Sequence, residues 1–148
     1  MRKLLYAAAI SVMGAVPAFA ETLPQVDVYK SPLCGCCSEW VEHMRAAGFP
    51  VNVRDVEDMT PLKKMAGVPE EMESCHTAVV DGYLVEGHVP ASDVKRLLTE
   101  RPEARGLSAP GMPVGSPGME QGGHKDPYDV ILFGGKTGDR VYSRQNTP

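Results

Sequence analysis

The chain has 148 residues and carries 15 lysines and arginines against 19 aspartates and glutamates, a formal charge of −4 at neutral pH. Arg2 and Lys3 open it, an apolar run from Leu4 to Val16 follows, and Ala18-Phe19-Ala20 is a small-residue cleavage site, so residues 1–20 read as a secretory signal peptide. Its removal leaves 128 residues, one domain's worth, and takes away only positive charge. The mature chain at −6 is then too acidic to favour nucleic acid or an anionic membrane surface.

The apolar run is well short of the ~20 residues of a membrane span and no second one follows, so the expected product is a periplasmic protein without a membrane anchor. Beyond the signal, Gln25 to Lys30 alternates apolar and polar residues as a strand does. Ser31-Pro32-Leu33 breaks that run just before Cys34-Gly35-Cys36-Cys37. From Ser38 to Ala47 the period is helical, with Trp40, Val41, Met44 and Ala47 on one side and Gly48 as the stop. Phe49 to Val56 reads as a second strand, and Met59 to Gly67, opened by Thr60-Pro61, as a second helix. After a loop ending in Cys75-His76, Thr77–Val80 and Tyr83–Gly87 flank Asp81-Gly82, a strong hairpin signal. Ala91 to Leu98 reads as a third helix capped by Ser92 and stopped at Pro102.

The order β-α-β-α-β-β-α over residues 21–105 is that of an α/β, thioredoxin-like fold with a mixed sheet and flanking helices. Residues 106–148 differ in composition. Gly106 to Gly123 holds too much glycine and proline for a helix or a central strand, and without other marks it would pass for a flexible linker. It also repeats Pro-Gly-Met, at Met112 and Met119, on a loop with no helical face to bury them. Tyr128–Phe133 and Arg140–Ser143 around a Gly-rich turn read as a terminal hairpin, packed on the same domain.

All four cysteines and all four histidines survive removal of the signal. An even cysteine count in an exported chain ordinarily means structural disulfides. Here three of the four lie within four residues, and a bridge between the neighbours Cys36 and Cys37 would be strained while constraining little chain entropy. The cluster therefore reads as chemical. At a helix N-terminus a thiol meets the positive end of the dipole and unpaired N–H groups, which favours the thiolate. Cys34 and Cys37 have the spacing of a catalytic redox dithiol, whereas the third thiol inside the motif points to a metal. Thiolate, thioether and imidazole together suit Cu(I), and the methionines argue against zinc.

In the thioredoxin topology the loop before the third strand packs against the redox motif, usually through a proline. Here it carries Ser74-Cys75-His76, which would bring a fourth thiol to the other three. The loop with His88 approaches from the next strand. His43 and His124 read as surface or capping residues, Trp40 as core, and Met44, Met59, Met65 and Met72 as packing residues.

These blocks resemble the CopG-type periplasmic copper-resistance proteins, from about Val26 to Met119. The likeness rests on Cys34-Gly35-Cys36-Cys37, Ser74-Cys75-His76-Thr77-Ala78, Tyr83 through Pro90, and Gly106-Leu107 through Pro110-Gly111-Met112 to Gly118-Met119. The resemblance implies a cysteine-bridged cluster of several copper ions, with Cys34, Cys36, Cys37 and Cys75 as its core and Met112 and Met119 as thioether neighbours; His76 and His88 complete the expected ligand set. It also implies interconversion of Cu(I) and Cu(II), with other periplasmic copper-handling proteins as partners. The competing expectation is a thiol–disulfide oxidoreductase using Cys34 and Cys37.

Overall fold

The computed structural model of the chain describes residues 22–148, so the segment read as a signal peptide lies outside the described residues. The elements are β1 (Val26–Lys30), α1 (Gly35–Ala46), β2 (Val51–Asp55), α2 (Met59–Ala66), β3 (Thr77–Val80), β4 (Tyr83–Glu86), α3 (Ala91–Glu100), β5 (Gly106–Ser108), β6 (Tyr128–Phe133) and β7 (Arg140–Gln145). The strands form one mixed sheet in the order β2-β1-β3-β4-β5-β6-β7. β1 runs parallel to β2 and antiparallel to β3, and β3 is antiparallel to β4, which is the thioredoxin-like arrangement.

In α1 the residues Cys37, Trp40, Val41 and Met44 recur at helical spacing and are the ones buried. Trp40, Val41 and Met44 pack with Val26, Val28, Ala78 and Val85 of the sheet and with Val94 and Leu97 of α3, forming the main core on one face. The opposite face carries a smaller cluster of Val68, Met72, Leu84 and Phe133. In the hairpin, Asp81 (φ 47°) and Gly82 (φ 86°) are both left-handed, as a two-residue turn matched to the strand twist requires.

Three local readings change. α1 starts at Gly35 rather than Ser38, because Cys34 caps it: the Cys37 N–H donates to Cys34 Sγ at 3.3 Å. α2 is capped by the Asp58 carboxylate, which accepts from Thr60 N–H at 3.0 Å, in place of Thr60. α3 begins at Ala91, ahead of Ser92, and the Ala91 N–H donates to His43 Nε2 at 3.0 Å, so a histidine from α1 supplies the cap.

The larger correction concerns Gly106–Ser108, which composition placed in a loop. This segment is β5, fully buried, parallel to β4 and antiparallel to β6. Glycine at position 106 permits a contact that composition alone does not reveal: a Cβ there would lie 1.9 Å from the Leu84 carbonyl oxygen. Through β5 the terminal hairpin β6–β7 extends the sheet instead of standing apart. Among the described residues no helix is long and apolar enough to cross a membrane.

Gly106→Ala must push β5 from β4 and is expected to cost on the order of 3 kcal/mol in chemical denaturation; a loss under about 1 kcal/mol would show that the strand pair can yield.

Candidate metal centre

Four segments leave the same end of the sheet. β1 runs into the α1 N-terminus with Cys34, Cys36 and Cys37; β3 is preceded by Ser74-Cys75-His76; β4 runs into Gly87-His88; β5 runs into the methionine loop. The register Tyr29↔Thr77 sets the first two side by side, and Thr77↔Glu86 brings in the third. The Sγ atoms of Cys34, Cys36, Cys37 and Cys75 consequently all lie within 4.8 Å of one another.

Cys34 and Cys37 are joined as a disulfide, and Cys36 and Cys75 are free thiols. Cys37 is fully buried, while the other three are half-buried at the mouth of the site. Cys36 Sγ lies 3.5 Å from Cys34 Sγ. Burial, with repulsion from Cys36 next in size, pushes the Cys75 thiol up to about 11.

A second donor group shares Cys75: its Sγ is 3.4 Å from His76 Nδ1 and 3.0 Å from His88 Nε2. His88 Nδ1 lies 2.8 Å from the Pro117 carbonyl oxygen, and a carbonyl can only accept. In neutral His88, Nδ1 therefore carries the proton and Nε2 turns its lone pair toward Cys75, the tautomer a metal ligand needs. Burial lowers the His88 pKa, partly offset by the Pro117 hydrogen bond and Glu120. His76 is enclosed between the rings of Trp40 and His88. Burial, followed by repulsion from His88, Lys63 and Lys30, holds it well below the ordinary imidazole range. Among the described residues its buried Nε2 has no hydrogen-bond partner. Soft thiols and two imidazoles whose near nitrogens, His88 Nε2 and His76 Nδ1, lie 3.0 and 3.4 Å from Cys75 Sγ are a donor set that fits copper.

The methionine loop folds back onto this end. Gly111 N–H donates to the Glu73 carbonyl at 3.0 Å, and the Ser74 hydroxyl donates to the Gly111 carbonyl. Farther along, Gly118 (φ 85°) lies against the first turn of α1, where a Cβ would meet Cys36 O and Trp40 N, each at 2.7 Å. These contacts bring the residues just before Met112 and Met119 against the Cys75 loop and the start of α1. Met112 is 55% exposed and Met119 half-buried. His43 caps α3, His124 lies on the surface 2.9 Å from Asp126, and Trp40 is core, donating to the Val89 carbonyl at 2.8 Å.

Two residues that sequence reasoning passed over support the site. Lys63 and Glu86 form a buried ion pair beneath the Cys75 loop. Glu86 also accepts from the Ser74 N–H at 2.8 Å and from the Thr77 hydroxyl at 2.6 Å, and Lys63 donates to Thr77 Oγ1 at 3.0 Å. One carboxylate thus ties the end of β4, two residues before His88, to the residue before Cys75. The only sequence signal was a glutamate in an otherwise apolar hairpin; its partner is remote in the chain.

The topology and the thiol cluster define a thioredoxin-like protein with a four-cysteine site. Two solved structures, titled copper resistance protein copG form 2 and form 1, are each 44% identical to this chain with a TM-score of 0.78. They cover 85% and 84% of this chain, and the alignments span 99% of theirs. The chain belongs to the CopG copper-resistance family. Residues 72–119, which include Cys75, His76, His88 and both loop methionines, also match a family described as protein of unknown function, DUF411. No curated protein matches.

Removing one member of the buried pair strands the other charge. Glu86→Leu is expected to cost about 3–5 kcal/mol by urea unfolding, whereas Lys63→Met with Glu86→Leu costs much less; equal losses would refute the pairing. The pH profile follows from the buried imidazoles. The folded state resists protonation of His76, His88 and His43 below their ordinary 6.5, and the unfolded state does not. Stability present above that pH is lost as pH falls through it, so the metal-free Tm should drop from pH 7 to 5; a flat Tm would contradict neutral buried histidines.

Proposed function

We propose that this protein is exported to the periplasm and binds copper there, holding more than one ion on the thiolates of Cys34, Cys36, Cys37 and Cys75 in the service of copper resistance. The observation that carries the reading is the convergence of four sulfurs within 4.8 Å, with an imidazole lone pair directed at one of them. A thiolate can bridge two ions, and four such sulfurs balance the charge of several Cu(I). His76 and His88 favour Cu(II), and Met112 and Met119 favour Cu(I), so a mixed shell suits interconversion of the two states. Export rests on the cleavage-site pattern of residues 1–20.

Copper would supply one-electron chemistry at the sulfurs. The chain's own residues do the rest. Glu86 holds the Cys75 loop, Pro117 fixes the His88 tautomer, and Trp40 and His76 close the inner wall. Filling all four thiolates requires the Cys34–Cys37 disulfide to be reduced first.

That disulfide also supports a second reading, in which Cys34 and Cys37 catalyse disulfide exchange on exported proteins. Reduced protein titrated anaerobically with Cu(I) is expected to take up more than one ion per chain and to lose that uptake when Cys34, Cys36 and Cys37 are all changed to Ser. One ion or fewer, or binding that survives the triple change, would overturn the copper reading. Metal-free turnover of a model disulfide that vanishes in Cys37→Ser would instead support exchange.

A further inference from the structure

The disulfide accounts for one pair of cysteines and leaves a second pair beside it. Cys36 and Cys75 are both free, both half-buried, and within 4.8 Å of each other and of the bridge. Cys36 cannot join its neighbour Cys37 without straining the intervening peptide, and Cys34 is already taken. Cys75 is the partner that remains, and it stands on a loop outside the helix, free of the helical backbone that fixes Cys36.

We propose that the four cysteines are the electron store for reducing Cu(II), as two dithiol pairs, Cys34 with Cys37 and Cys36 with Cys75. This rests on the copper reading above and names its reductant. In each pair two S–H bonds break and one S–S bond forms. The two sulfurs give one electron each to two Cu(II), which become two Cu(I), and two protons pass to water. A fully reduced chain therefore reduces four Cu(II), and a chain with Cys34–Cys37 bridged and Cys36 and Cys75 free reduces two.

A consequence follows for release. The electrons come from the ligands themselves, so oxidation removes the thiolates that bind Cu(I) most tightly. Met112 and Met119 do not enter the disulfides and keep their thioethers available to Cu(I). Resetting the site takes thiol–disulfide exchange with two external dithiols, one for each bridge; at the first, the entering thiolate attacks half-buried Cys34 and displaces buried Cys37.

The test takes the mature, fully reduced, metal-free chain under anaerobic conditions, with excess Cu(II) and a chromophoric Cu(I) chelator. The expected result is four Cu(I) per chain, an intact mass lower by four hydrogens, no thiol left to alkylate, and peptides linked Cys34–Cys37 and Cys36–Cys75. Cys36→Ser and Cys75→Ser should each give two Cu(I) and keep the Cys34–Cys37 bridge. Wild-type protein that yields two Cu(I) and keeps two alkylatable thiols would overturn the proposal, as would covalent dimers or a Cys34–Cys36 link. A copper-free arm, with the thiol oxidant diamide in place of Cu(II), should give the same two bridges. If diamide forms both bridges but Cu(II) yields no Cu(I), the electron-store role falls and the copper reading must be judged by its own Cu(I) titration; if diamide leaves Cys36 and Cys75 unjoined, the pairing falls whatever copper does.

Discussion

The site depends on one register, the antiparallel pairing of β1 with β3 that sets Tyr29 opposite Thr77. The chain leaving β1 and the chain entering β3 then meet at the same edge, and Cys34–Cys37 face Cys75 across a gap that sulfur atoms can span. Pairing of Thr77 with Glu86 and of Glu86 with Ser108 propagates the alignment, so His88 and the methionine loop emerge at that end too. A one-residue slip would turn each strand's side chains to the other face and break all four approaches together. Ligands of open α/β sheets gather outside the carboxyl ends of the strands for the same geometric reason.

Around the thiols the protein places buried polar groups that would be costly if left unanswered. Lys63, Glu86, Thr77 and the Ser74 backbone answer one another, which makes the floor beneath Cys75 stiff. His76 is the exception. Its Nε2 is enclosed without a hydrogen-bond partner among the described residues, while its Nδ1 faces Cys75 Sγ at 3.4 Å. A stiff floor holds the groups above it in place, because the cost of arranging them is met during folding.

Much of the fold was legible from local pattern. The α1 stripe Trp40, Val41, Met44 and Ala47 appears at helical spacing in the sequence; the first three are buried in the structure and Ala47 is partly buried. Asp81-Gly82 announces its hairpin because few other pairs tolerate two left-handed residues. β5 was not legible: three residues, the first of them a glycine, carry too little pattern, and their strand character comes from neighbours on both sides. The cap Asp58 was missed because it lies a residue outside the expected start; His43 reads as a surface or capping residue, but that it caps α3 was not legible because the two are in different helices.

For the site, residue chemistry and spacing by themselves determined that three thiols open the first helix and that soft donors recur downstream, since both are properties of residue type and order. The tertiary structure decided which donors converge, which two cysteines pair, which tautomer His88 adopts, and that Glu86 with Lys63 forms the floor. Those outcomes depend on strand register and on burial of groups far apart in the chain, and neither is written in any local stretch of sequence.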